Sequence, residues 1–186
     1  MTAATTPTGS YTVFVKADGR GATIGGSNTD AGYVSEADET NNTMARGIVL
    51  PSRADLVISS ASLGTIVKNW DNSRSITVTF AVTNQGALAA PPTWFDLAYL
   101  SADSVLDNTD VNLSGYSTAN VALAAGASYT VTKTYLASAN IPAGIYSLIL
   151  KTDGRGATIG GANTDSGYVA ESNETNNVWV IPVTLP

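Results

Sequence analysis

One stretch of 27 residues occurs twice in this 186-residue chain. The first copy runs Lys16–Asn42 and the second Lys151–Asn177, each residue 135 positions after its counterpart. Of the paired positions 21 of 27 are identical, against 4 of the 16 that flank them within Gly9–Pro51 and Gly144–Pro186. An internal copy at a fixed spacing marks a chain built from one structural unit used more than once. Flanks that drifted while the middle held point to a repeat protein rather than an enzyme.

The flanks show what the unit is made of. Ser10–Lys16 alternates Tyr11, Val13 and Val15 with Ser10, Thr12 and Lys16, the period of a half-buried strand. Thr43–Leu50 is a second strand, with Met44, Ile48 and Leu50 on one face and Arg46 interrupting it. The two form a hairpin whose tip is the repeated stretch. Pro51-Ser-Arg-Ala54 reads as a boundary. Beyond it, strands are expected at Asp55–Leu63, Ser75–Thr83, Trp94–Leu100 and Ser128–Leu136, with short extended pieces within Val111–Leu123. Ile145–Leu150 and Val178–Leu185 then repeat the first hairpin. Ser75–Thr83 is the cleanest, with Ile76, Val78, Phe80 and Val82 inward and Thr or Ala outward. Asn69–Arg74 and Asn84-Gln-Gly86 are turns, and Ser101–Asp110 is an acidic loop. No stretch carries an amphipathic 3.6-residue period. The fold class expected is all-β, an antiparallel β-sandwich used as a tandem repeat. Residues 1–51 supply the C-terminal hairpin half of a preceding unit, opening on a Thr/Ala/Pro-rich linker end, and residues 52–186 a complete one.

Composition narrows the function. With no Cys and no His, disulfides, thiol nucleophiles, Cys-based zinc sites and a His general base are all excluded. Nine Lys plus Arg against fifteen Asp plus Glu leave a net charge of −6, so nucleic acid is not an expected partner. No apolar run reaches the roughly 20 residues of a membrane helix, so no membrane insertion is expected. The first seven residues lack the basic and apolar regions of a signal peptide.

The pieces of 54–186 also carry a resemblance. Ala54-Asp-Leu-Val-Ile58 opens the unit, and Ile76–Gly86 ends in Thr-Asn-Gln-Gly. Tyr99-Leu-Ser-Ala-Asp103 follows with Asp107 and Asp110, then Leu123-Ala-Ala-Gly126 and Pro142-Ala-Gly-Ile-Tyr146. Glu171-Ser-Asn-Glu-Thr-Asn-Asn177 is the most specific piece. Together they resemble the bacterial CARDB module, the cell-adhesion-related domain with an immunoglobulin-like sandwich. The resemblance implies tandem extracellular repeats in a larger surface or secreted adhesin-like protein, without catalysis. It implies neighbouring repeats as partners; copies of the chain and a surface glycan or protein are expected on separate grounds. One departure stands out. Between Asp153 and Glu171 the family pattern is short, whereas here Gly154–Ala170 forms an extended loop.

Chemistry is sought first at the two tips. Asp153, Asp165, Glu171, Asn173, Glu174 and Asn176 supply oxygen donors in the second copy. Asp18, Asp30, Glu36, Asp38, Glu39 and Asn41 supply them in the first. Gly154, Gly156, Gly160, Gly161 and Gly167 allow tight turns with inward carbonyls. Calcium takes six to eight such oxygens, and an acidic glycine-rich loop can provide them. The competing reading is architectural: Asn and Asp fill Asx turns, and Glu and Asn side chains cap strand-end amides, Asn176-Asn177 in particular. Asp103, Asp107 and Asp110 form a second candidate calcium group, though not at EF-hand spacing. Glu171/Glu174 and Glu36/Glu39 have the residue types of a glycosidase pair, but nothing around them suggests a pocket that would raise one pKa. Of the aromatics, Trp94 and Trp179 read as core, while Trp70, Tyr33 and Tyr168 remain for carbohydrate stacking or for pinning the loops. A carbohydrate-binding accessory module of a secreted enzyme is therefore the alternative function. A lone hairpin exposes an apolar face and an unpaired edge. One expectation is that the hairpin packs on residues 54–137 in place of 144–186, whose displaced hairpin completes the next chain and builds head-to-tail assemblies. The alternative is that it docks beside an intact module.

Overall fold

The computed structural model describes residues 8–20, 28–117, 122–155 and 161–186. The linker end at 1–7 and the tip glycines Gly156 and Gly160 lie outside the described residues. Nine strands are seen among the described residues: β1 Gly9–Lys16, β2 Thr43–Leu50, β3 Leu56–Lys68, β4 Arg74–Asn84, β5 Phe95–Ser101, β6 Val111–Ser117, β7 Ser128–Ala137, β8 Gly144–Lys151 and β9 Val178–Leu185. The architecture is all-β and every strand pairing within the sheets is antiparallel. Two compact units result, Thr8–Pro51 and the body formed by Ser52–Pro186.

The first unit is the β1–β2 hairpin, with Tyr11 opposite Ile48, Val13 opposite Arg46 and Val15 opposite Met44. In the second, sheet β3-β4-β7 packs against sheet β6-β5-β8-β9. The chain changes sheet between β4 and β5, between β6 and β7, and between β7 and β8. Alternation decides which side chains meet. Ile76, Val78, Phe80 and Val82 of β4 fill the core with Ala98, Leu100, Leu148, Leu150, Val183 and Leu185 from the opposing sheet. The other face of β4 carries hydroxyls that pair across strands, Thr77 with Thr134 and Thr79 with Thr132, each at 2.8 Å.

The strands run longer than the alternation alone indicates. β3 continues through Gly64 to Lys68, with register shifts between Ile58 and Ser60 and between Leu63 and Ile66, because bulges let it stay paired with β4. At the opposite end of β4, Gly86 packs against Arg53–Asp55, where a Cβ would lie 2.5 Å from backbone atoms, so a residue without a side chain is required. Trp94 precedes β5 and is buried, its indole Nε1 donating to the Tyr129 hydroxyl at 3.2 Å. Trp179 departs from the core expectation. It stands opposite Leu150 but is 37% exposed, because β9 is the edge of its sheet and its core face is incompletely covered there.

A second, smaller cluster lies on the outer face of the four-stranded sheet: Leu97, Tyr99 and Ile149, with Phe95 and Leu106 against them. Leu106 comes from the acidic loop after β5, and Tyr168 of the β8–β9 tip lies with its ring centroid 5.9 Å from that of Phe95. This sheet face is therefore roofed by two loops, and the site forms between them.

Candidate metal centre

The tip begins with a backbone constraint. Asp153 has φ 50°, which turns the chain sharply after β8 and sets its carboxylate under the loop. Its Oδ1 accepts the Tyr168 N–H at 2.9 Å and its Oδ2 the Val169 N–H at 2.9 Å. Asp165 Oδ1 accepts from the amides of Gly167 at 2.7 Å and Arg155 at 3.1 Å. Between these Asx turns the Lys151 ammonium donates to the carbonyls of Asn163, at 2.9 Å, and Asp165, with the Asp165 carboxylate 3.7 Å away. Arg155 lies over the Tyr168 ring at 4.8 Å. The first copy has the same frame. Asp18, with φ 46°, accepts from Tyr33 and Val34, Asp30 accepts from Gly32 and Arg20, Lys16 reaches the Asp30 carbonyl, and Arg20 lies 4.7 Å over Tyr33. Identity of sequence thus becomes a shared frame of hydrogen bonds, and most of the acidic side chains serve the loop's own backbone.

Other predicted ligands are placed likewise. Asn173 Oδ1 accepts from the Thr175 amide and hydroxyl, and Asp38 does the same with Thr40. Asp107 accepts from Thr109, Asp110 from the Asp107 amide, and Asp103 from Val105. That loop is tied to the tip by Asn163, whose side-chain amide donates to the carbonyls of Asp107 and Asp110 at 2.9 and 3.2 Å. Asn41 is exposed. Asn176 and Asn177 turn to carboxylates rather than to loop backbone: Asn176 donates to Asp55 at 2.9 Å, and Asn177 to Glu171.

Three of the candidates converge. Asp153, Glu171 and Glu174 each present a carboxylate oxygen, all within 4.8 Å of one another. Glu174 Oε1 also accepts the Glu171 N–H at 2.9 Å. Glu171 is fully buried, and one of its oxygens accepts the Leu56 N–H while the other accepts from Asn177 Nδ2. The backbone supports this latch, since Ser172 N donates to the Ala54 carbonyl at 2.9 Å and Arg53 to the Glu171 carbonyl at 3.3 Å. Burial, reinforced by the neighbouring carboxylates, pushes the Asp153 carboxyl up to about 7 and that of Glu171 up to about 8, against the pull of their N–H donors. A cavity of about 170 Å³ opens here, with Lys151, Asp153, Asp165, Glu174, Asn177 and Leu106 in its wall.

The equivalent residues of the first copy, Asp18, Glu36 and Glu39, form no such group. Glu36 is exposed, and its unit has no counterpart of the Leu56 amide to draw it inward. The hollow beside Lys16, Asp30 and Glu39 is correspondingly wide, about 720 Å³, with no residue in the role of Leu106.

A family model described as CARDB matches residues 53–180, from the boundary before β3 into β9. The chain belongs to the CARDB family. This is a family of non-catalytic domains, and the tip with its buried Glu171 lies inside the matched span. Among solved structures, the chain is similar to the CARDB domain of the PF1109 protein from Pyrococcus furiosus, which was crystallised in complex with di-metal ions. Identity is 16% over 72% of this chain and 94% of that one, with a TM-score of 0.45. It is also similar to part of a β-glucuronidase of glycoside hydrolase family 2, at 14% identity over 70% of this chain and 12% of that one, with a TM-score of 0.44. A third is the β-glucosidase 3B of Thermotoga neapolitana in complex with α-D-glucose, at 11% over 75% and 16%, with a TM-score of 0.42. The CARDB chain spans less than a fifth of either glycosidase. The search of curated proteins found no match.

Proposed function

We propose that this CARDB chain is a structural and adhesive repeat unit of a bacterial surface or secreted protein, acting outside the cell and stiffened by a divalent cation, calcium foremost. The observation that carries this reading is the duplicated tip. A frame of Asx turns, a lysine on the carbonyl of the loop's second aspartate and an arginine over a tyrosine recurs in both units, as expected of a part used in series. Size-exclusion chromatography with light scattering tests its self-association. In β8–β9, Leu148, Leu150, Val183 and Leu185 fill the sandwich core. Their counterparts in β1–β2 are Val13, Val15, Ile48 and Leu50, so the hairpin has the pattern to complete a second copy of the chain. Concentration-dependent assembly of the full chain, lost in residues 52–186, is the expected result. A strict monomer in both, at high concentration, rejects it.

The alternative, a carbohydrate-binding accessory module, draws on Trp70, which is 97% exposed at the β3–β4 turn. A glycan array separates the two readings. The structural reading expects no binding, whereas binding abolished by Trp70→Ala or Tyr168→Ala would replace it with the accessory-module reading.

A further inference from the structure

The geometry points to one built cation site among the described residues: Asp153, Glu171 and Glu174 as carboxylate ligands and Asn177 Oδ1 as an amide-oxygen ligand, holding calcium between the second tip and the start of β3. This deepens the cation reading above and rests on it. Carboxylates that gather on a loop are by themselves unremarkable; the deciding observation is Asn177. It is only 6% exposed, lines the same cavity as Asp153 and Glu174, and has its Nδ2 turned to Glu171. Its Oδ1 is left buried without a hydrogen-bond partner among the described residues. An orphaned carbonyl oxygen costs free energy unless something fills it. Beside three carboxylates, a partner that satisfies it and them together must be positive.

Lys151 meets that need only in part, since its charge acts on Asp153 and Glu174 but it hydrogen-bonds none of the four oxygens. It lies in the cavity wall, but its hydrogen bonds go to the carbonyls of Asn163 and Asp165, on the tip side. Four oxygens and no nitrogen or sulfur ligand select a hard cation. Several of these oxygens already accept N–H donors, so they offer an irregular shell completed by water. Calcium tolerates such a shell, whereas magnesium demands near-ideal octahedral geometry. The site is single because the first copy lacks the Leu56-like amide, and Glu36 stays outside.

The consequence is mechanical. Glu171 is bound to the Leu56 amide at the start of β3, and Asp153 to the Tyr168 and Val169 amides of the tip. A shared ion couples these two grips. Loading therefore clamps the extended loop and the module's first strand to the end of β8.

The test is calcium titration of the full chain by calorimetry, with terbium luminescence sensitised by the tip aromatics as a second readout. One Ca²⁺ per chain is expected. Glu174→Gln should weaken it about tenfold or more while keeping the fold, since the glutamine oxygen still accepts the Glu171 amide. Glu39→Gln, its equivalent in the first copy, should leave binding unchanged. Unaltered binding in Glu174→Gln, with the calcium-induced rise in melting temperature retained, overturns this site and leaves the cation-stiffened module standing. Absence of binding at about 10 mM Ca²⁺, above the range of extracellular calcium modules, together with no melting shift, overturns both. Loss of an ion in Glu39→Gln overturns the single-site assignment.

Discussion

Glu171→Ala is expected to destabilise the sandwich by about 3–5 kcal/mol, whereas Glu36→Ala, the same residue in the first copy, should change stability by less than about 0.5 kcal/mol. The difference follows from surroundings, because the local sequences are nearly the same. Truncating Glu171 strands two buried donors, the Leu56 N–H and Asn177 Nδ2, and empties a fully buried volume. Each buried donor left unsatisfied costs about 1–3 kcal/mol. Glu36 is exposed, so water replaces whatever it loses. Glu171→Gln should fall between: its oxygen can keep the Leu56 amide, and Asn177 must turn over to offer its own oxygen to the new amide. Urea unfolding followed by Trp94 fluorescence measures this, since Trp94 is buried in the sandwich and Trp70 is already in water. Equal effects at the two positions would remove the latch from the account of the module.

The same residue marks where sequence reading runs out. The Asx turns of both tips were legible because donor and acceptor lie a few residues apart, as with Asn173 and Thr175, or sit in the duplicated frame. The inward face of β4 was legible from alternation, whereas β8 is buried on both faces from Leu148 to Lys151. The latch was not, because Glu171 accepts from a backbone amide 115 residues upstream, and a backbone N–H leaves no mark in the sequence. Asn177 reads from the sequence as a capping side chain but caps no backbone group among the described residues, and its turn toward Glu171 depends on where burial puts that carboxylate. Leu106, beside Val105 in an acidic loop, packs back on the sheet and lines the cavity while Val105 stays exposed, a difference that the sequence does not mark. Trp179 shows the converse limit, since alternation assigns a face without saying whether an edge strand's face is covered.

With a chelator present, stability is expected to fall as pH rises from about 4.5 to about 8.5, the reverse of ordinary acid denaturation. Three buried carboxyls set the direction. Burial raises Asp96 from 3.8 to about 6, against hydrogen bonds from Tyr129 and Thr152, and it raises Asp153 to about 7 and Glu171 to about 8. A group whose folded pKa lies above its unfolded value keeps its proton in the folded protein while the unfolded chain has released it. Its contribution is complete below the unfolded value and is lost as pH rises through the folded one. For Asp96 the gap corresponds to about 3 kcal/mol, lost between about pH 4 and 6. Asp153 and Glu171 extend the decline to about pH 8. Asp30, Asp38, Asp71 and Asp107, held below their ordinary value chiefly by hydrogen bonds, have the opposite sign, but their window lies below 3.8. The maximum therefore falls in mild acid. Saturating calcium should lift the alkaline limb, because an ion between Asp153 and Glu171 takes the place of the protons, and its affinity should weaken as pH falls through 8 and 7. It should leave the Asp96 step intact, since that carboxylate lies among Tyr129, Thr152 and Lys133. Asp96→Asn, nearly equal in volume, can accept from Tyr129 through its oxygen and donate its amide to a turned Thr152 hydroxyl, and should erase the lower step alone. Melting temperatures across this range, with chelator and with calcium, give both curves, and a chelated protein whose stability climbs steadily from pH 4.5 to 8.5 would contradict the assignment of these carboxyls.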